Sequence, residues 1–386
     1  MDPIELAAVL TAAVVVASML SVELGIAVAL FELGLGVVLG NVFDLNAGEP
    51  WLVFVASFAS IVLTFLAGAE VDPDDFKERF GATMTIGIVS FLGPFVVAFA
   101  TSYWLLDWTL KAALIAGTAL STTSLAVVYA VLVETGLNAT RVGKLLMGGC
   151  FVTDLGTALA LSAIFITPNA WFPAFLAVSV ALMFALPRLA PWFFRRYGDR
   201  VIEPEIKLVF LCLLVLMVLA NASKGHAVLP AFILGLVMAR HYQQHRLEQE
   251  RLRVVAFAFL TPFFFLRGGL NVSLGAVVAN IGLLGLLFGA KMIPKLALVF
   301  PFARRAEPEH GTFITLLMST GLTFGTISSL YGLNAGIIDK TQFSLLVTVV
   351  VLSAIVPTAI AQVFFSPGHI SDIERERHPV PAEEMV

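Results

Sequence analysis

Long apolar stretches recur from one end of the 386-residue chain to the other, and the short segments between them hold nearly all of the charge. Most stretches are close to twenty residues, the length that takes a helix across a hydrocarbon core of ~30 Å at ~1.5 Å per residue. The pattern predicts an all-α polytopic membrane protein with about thirteen transmembrane helices. They fall at 4–20, 24–40, 51–69, 80–105, 110–133, 145–166, 171–190, 206–221, 227–240, 254–270, 274–302, 312–331 and 343–365. Residues 1–366 form the transmembrane unit, and 367–386 a short polar tail.

Composition agrees: 59% of residues are hydrophobic and only 13% charged, with a mean hydropathy of +0.94. The 30 glycines and 18 prolines suit transmembrane helices, where small residues let backbones approach. Cys150 and Cys212, both in apolar helices, make neither a disulfide framework nor a metal site. The N-terminus has no basic leader and enters an apolar segment directly, so a first spanning helix is expected rather than a cleaved signal.

Charge sets the expected orientation. Seventeen Lys and Arg fall on one set of alternate loops, whereas the other set has Lys111, Lys224 and Lys340. A bias of this size places the N-terminus outside and the C-terminus in the cytoplasm of a prokaryotic inner or plasma membrane.

Within this apolar background Asp154 stands alone. It is the one charge between Leu145 and Ile166, and it lies ten positions beyond Lys144. That is roughly 15 Å along a helix, about half-way through the membrane. An ionised Asp there is costly unless paired, hydrated or ion-loaded, so it is read as functional. The structural alternative is a protonated Asp hydrogen-bonded between helices. Lys291 is the second deep charge, thirteen residues before Arg304, too far for easy snorkelling, with Asp154 as its natural partner. Lys295, one turn nearer the end, is expected to snorkel to the interface.

A weak internal repeat links the two halves. Phe65-Leu66-Ala67-Gly68 recurs as Phe265-Leu266-Arg267-Gly268 (268 − 68 = 200), Ser121-Thr122 as Ser319-Thr320 (319 − 121 = 198), and Gly136 to Ala139 as Gly332 to Ala335 (332 − 136 = 196). An offset of seven helices makes the repeats inverted, and pairs helix three with ten, five with twelve and six with thirteen. Helices five and twelve carry matched small hydroxyl runs around Ser121, Thr122, Thr123 and Ser124, and around Thr320, Gly321 and Thr323. Such runs permit two crossed, broken helices whose freed carbonyls face an ion; packing through small residues is the plainer alternative.

These residues carry a resemblance. Phe65 to Asp72 resembles the FLAGLE-type signature of the monovalent cation:proton antiporters, and Thr123-Ser124 with Val131 to Gly136 resembles their broken-helix motif. Gly149 to Gly156 is similar to their carboxylate helix, Lys291 falls at the core-lysine position of the second, Kef/Nap-like branch, and Ser353 to Pro357 resembles the closing helix. The resemblance implies a homodimer. Core helices at about 51–166 and 254–365 would move as an elevator against dimer or scaffold helices at about 4–40 and 171–240. Asp154 would be the shared ion and proton carboxylate. Two departures stand out: Thr153 replaces the first acid of the electrogenic pair, and Gly321 to Phe324 lacks the acid of its motif. Arg267 is an added charge near the end of helix ten.

One acid implies one proton per sodium or potassium ion, hence electroneutral exchange. Hard cations take oxygen, so Asp154, Thr153, Thr123 and Ser124 are the candidate ligands. Lipid is the surrounding partner. No cofactor, nucleic-acid partner or catalytic residue is expected, and nothing implies ATP drive. A sodium-coupled organic-solute symporter and a channel or transport-dead sensor are the rivals. The acidic loop of Glu70, Asp72, Asp74, Asp75 and Glu78 and the six histidines read as solvated or interfacial. If Lys291 supports Asp154, Lys291→Ala shifts the pH profile of exchange or the melting temperature; superimposable profiles and melts remove that role.

Overall fold

In the computed structural model, residues 2–71, 80–137, 140–164, 169–198, 200–223 and 225–365 are described, and within them the chain is helical with no strand. The elements are α1 Pro3–Leu24, α2 Val28–Val42, α3 Pro50–Ala69, α4 Phe80–Ala100 with a π-turn at Thr101–Leu105, α5 Leu110–Ser121, α6 Leu125–Glu134, α7 Arg141–Ile164, α8 Phe172–Tyr197 and α9 Pro204–Ala222. They continue with α10 Val228–Gln244, α11 Arg246–Val255, a π-turn at Ala256–Leu260, α12 Thr261–Leu270, α13 Leu274–Ala279, α14 Ile281–Ala306, α15 Gly311–Met318, α16 Thr323–Asn334 and α17 Lys340–Phe365. Eleven spans among the described residues are long and apolar enough to cross a membrane, rather than the thirteen expected. The difference lies in α2, apolar but 15 residues long, and α10, 17 residues long and ending in Arg240, His241 and two glutamines.

Two bundles share the molecule. In one, α4 packs against α5, α7 and α14, and α17 packs against α14, α15 and α16. In the other, α2 packs against α12, α3 against α10, and α8 against α9 and α10. The broadest contacts of α3 and α12 are with α10 and α2.

Glycine is the reason. A side chain on Gly36 would run into the Leu266 carbonyl, and one on Gly269 into the Leu33 carbonyl. Likewise Gly68 faces the Phe232 carbonyl and Gly235 the Phe65 carbonyl. Backbones therefore touch directly in both pairs, a mode of membrane packing that only glycine permits. The two contacts are equivalent through the repeat, since 235 − 36 = 199 and 269 − 68 = 201.

The same symmetry corrects one expected match. Gly136 has φ 70° and Gly336 φ 64°, an offset of 200. Leu137 N donates to the Leu132 carbonyl after α6, as Ile337 N does to that of Gly332 after α16. The second-half match to Gly136 is thus Gly336, one turn beyond the Gly332 suggested by letters; Asn138 and Ala139 lie outside the described residues. Left-handed glycines end both half-helices because that conformation is costly for residues with a Cβ.

Aromatic side chains close the seam between the bundles. Phe232 of α10 stacks on Phe151 of α7, centroids 5.6 Å apart, and meets Phe324 of α16 edge-on at 6.4 Å. Gly68→Val must push α3 and α10 apart at backbone level. Overpacking of this kind costs roughly 1–3 kcal/mol or more, so the melting temperature in detergent falls clearly; an unchanged melt contradicts the backbone contact.

Candidate functional site

Two interrupted helices meet within the first of these bundles. α5 ends at Ser121, Thr122 turns extended (φ −66°, ψ 154°), and α6 starts at Leu125. α15 ends at Met318, and Ser319 to Leu322 lead into α16, which begins at Thr323. The expected breaks are present, narrower than the hydroxyl runs: Ser121 closes α5, and Thr323 opens α16. Gly325 lets α16 lie on α5, because a Cβ there would stand 3.0 Å from the Ala119 carbonyl oxygen.

Breaking a helix exposes carbonyl oxygens whose dipoles sum to partial negative charge at the C-terminal end. Lys295 answers both ends at once. Its Nζ donates to the Thr122 carbonyl at 2.9 Å, the Met318 carbonyl at 2.8 Å and Thr123 Oγ1 at 2.9 Å. Thr123 Oγ1 in turn donates to the Met318 carbonyl at 2.9 Å. Lys295 is fully buried, so it is not the snorkelling residue expected from sequence. The stem of a snorkelling lysine reaches toward water; this one turns into the crossing.

Lys291 is also fully buried, and its Nζ donates to the Thr122 carbonyl at 3.2 Å. It does not form the expected pair with Asp154. Its ammonium lies against Gly321, where any side chain would collide with it. The signal for Lys295 was present in sequence: 295 − 291 = 4 puts the two lysines on one helical face.

Asp154 lies on α7, which packs against α5, α6, α15 and α16. Gly149 and Gly156 allow that approach: a Cβ at Gly149 would be 3.0 Å from Met318, and one at Gly156 3.0 Å from the Phe91 ring. Asp154 is 2% exposed, and its Oδ1 is buried without a hydrogen-bond partner. Thr153 Oγ1 donates to the Cys150 carbonyl at 2.8 Å, and Ser124 Oγ accepts from Val127 N at 3.4 Å. Thus Thr123 is engaged in the crossing, while Thr153 and Ser124 serve local backbone. Their remaining lone pairs are what each can offer an ion. No cluster of three or more His, Cys, Asp or Glu side chains suited to a metal occurs among the described residues.

Charges outside the crossing differ from expectation. Glu70 is not a free loop acid: it caps α3 and accepts from Arg253 Nη2 at 2.7 Å and Nε at 2.9 Å. Burial pushes its carboxyl above the usual range, and the Arg253 guanidinium opposes that rise. Asp72, Asp74, Asp75 and Glu78 lie outside the described residues, as do Lys224, His369 and His378. Glu32 went unremarked in sequence although it is the lone acid of α2; it is 1% exposed, with Oε2 unpartnered.

Comparison with known proteins fits this geometry. The family model for the transmembrane sodium/hydrogen exchanger matches residues 9–366. The Na(+)/H(+) antiporter NhaS4 of Synechocystis sp. is 25% identical over 346 residues, covering 83% of this chain and 84% of that protein. The probable Na(+)/H(+) antiporter 3 of Methanocaldococcus jannaschii is 26% identical over 325 residues, covering 80% and 82%. In fold, the sodium proton antiporter MjNhaP1 of M. jannaschii superposes with a TM-score of 0.71 at 12% identity, covering 94% of this chain and 98% of that one. With crossed half-helices, a buried acid on the helix packed against them and a family match over nearly its whole length, the chain belongs to the transmembrane sodium/hydrogen exchanger family, within the monovalent cation:proton antiporter superfamily.

Proposed function

We propose that this protein exchanges a monovalent cation, sodium or potassium, for a proton across a membrane, with Asp154 as the carboxylate both passengers share. The observation that carries it is the unpartnered Oδ1 of a buried Asp154 on a helix packed against two broken helices, whose freed carbonyls are already bound by Lys291 and Lys295 of α14. Relatives described as Na(+)/H(+) antiporters, and a K(+)/H(+) antiporter of Saccharomyces cerevisiae 24% identical over 372 residues, support the class and leave both cations open.

The coupling follows from charge. Protonated or cation-loaded, the Asp154 carboxyl is neutral and passes the low-dielectric barrier cheaply; as a bare anion it is penalised. An empty carrier therefore returns slowly, and each flux depends on the other. A single acid, with Thr153 where electrogenic relatives carry a second, gives one proton per ion and no net charge moved.

For the motion, we assign α4–α7 and α14–α17 to a mobile core and α1–α3 and α8–α12 to the scaffold. The backbone-to-backbone glycine contacts of α2 with α12 and α3 with α10 suit a rigid frame. The side-chain seam at Phe151, Phe232 and Phe324 suits a sliding surface. α1 and α8 are the least buried spans, the surfaces left for lipid and for a second copy in a homodimer. The loop charge bias supports an N-terminus on the outside.

In proteoliposomes with an imposed pH gradient, Asp154→Asn should reduce dye dequenching on addition of sodium or potassium to that of protein-free vesicles while the melt stays cooperative. Wild-type rates in that variant would refute the assignment. Wild-type exchange should carry no current on solid-supported membranes; a robust current reversing away from the one-to-one potential contradicts electroneutrality. Lys295→Ala removes three hydrogen bonds and Lys291→Ala one. At about 1.5–3 kcal/mol per hydrogen bond to a charged group, Lys295→Ala should lower the melting temperature more, and the reverse order would overturn the assignment of Lys295 to the crossing.

A further inference from the structure

Arg267 is a buried charge that the exchange mechanism does not use, and its two hydrogen bonds run to different bundles. From α12, Nε donates at 3.1 Å to the carbonyl of Ala47, in the segment joining α2 to α3 of the scaffold. Nη2 donates at 2.9 Å to Oδ1 of Asn334, the last residue of α16 in the core. Nη1 is buried without a partner. A guanidinium keeps its proton when buried, so these acceptors are what offsets its desolvation, and giving up one of the two is costly.

A second contact crosses the seam beside it. One turn earlier on α16, Tyr331 meets the ring of His226 edge-on, centroids 4.4 Å apart, and His226 sits between α9 and α10 of the scaffold. Tyr331 and Asn334 also border a cavity of about 240 Å³, whose scaffold wall includes Ser57, Ser60 and Asn221. The end of α16 is thus held by a hydrogen bond and a ring contact with room next to them. The hydroxyls and amide of that wall offer both donors and acceptors to an Asn334 side chain that has left Arg267. At the other end of α3, Arg253 also reaches the core, with its guanidinium 5.9 Å from the Tyr129 ring of α6. That arginine is paired with Glu70 and partly exposed, so a ring contact is its hold on the core there.

We propose that the Arg267–Asn334 hydrogen bond is a latch across the seam, holding the core against the scaffold in the arrangement of this structure and opening each time the core moves. Arg267 is then a positioning residue that acts through α16, the helix whose first residue, Thr323, leaves the crossing. The latch rests on the two-body reading above, but not on which cation is carried nor on the role of Asp154.

The test is amide hydrogen exchange read by mass spectrometry on the full chain in detergent, for wild type, Arg267→Gln, Asn334→Ala and the double variant. A hydrogen bond to a charged group corresponds to a population ratio of about tenfold or more. Uptake along the seam-facing segments 226–240 and 323–334 should therefore be about tenfold faster in either single variant, no faster again in the double, and unchanged at 28–42 within the scaffold. Asn334→Asp supplies a variant that keeps the contact: it converts the bond to an ion pair, so seam uptake should slow and turnover in proteoliposomes should fall several-fold. Superimposable uptake curves overturn the latch. So does faster uptake confined to α12 and 43–49 or spread evenly over the chain, or an additive double variant. Wild-type protein that exchanges no cation would sink the transport reading instead, and the uptake comparison would still decide the latch.

Discussion

Two half-helices that end face to face in an apolar interior leave carbonyl oxygens with nothing to bind, and the core of this protein is arranged around that deficit. Lys295 meets it with one ammonium and three acceptors, two of them on opposite halves of the inverted repeat. Because the ammonium joins Thr122 and Met318, it fixes the distance between the two breaks. The glycines at 321 and 325 then let helices and lysines pack at that distance. Asp154 is left as the unpaired polar group of the centre because the cations nearest the crossing are already engaged.

The same economy governs the larger architecture. Where α2 meets α12 and α3 meets α10, glycines bring backbones into contact, and such an interface has no side chains to slide over one another. Where the bundles meet each other, phenylalanine rings face across the seam. Rigid contact within a bundle and ring contact between bundles are the features on which the proposed motion of one body against the other rests.

Charge placement separates the tasks. Asp154 has an unsatisfied oxygen and suits a passenger that comes and goes; the lysines are bound to backbone and suit a permanent structural role. Arg267 is not paired with an acid like Arg253; it donates to the Ala47 carbonyl and to Asn334 Oδ1, and so ties α12 to α16.

By itself the sequence determined the membrane class, the inverted repeat, the two broken helices and the isolation of Asp154. Hydropathy, repeat letters and the absence of neighbouring charge are local properties, carried by the chain before it folds. What only the tertiary structure decided is who pairs with whom. Lys291 and Lys295 share a face in sequence, but the Thr122 carbonyl that both bind belongs to a segment some 170 residues away. Sequence also placed Gly136 against Gly332, whereas the left-handed turn that makes two glycines equivalent sits at Gly336. Partners distant along the chain meet through helix register and approach, and these are set by packing against glycine, not by the composition of any one helix.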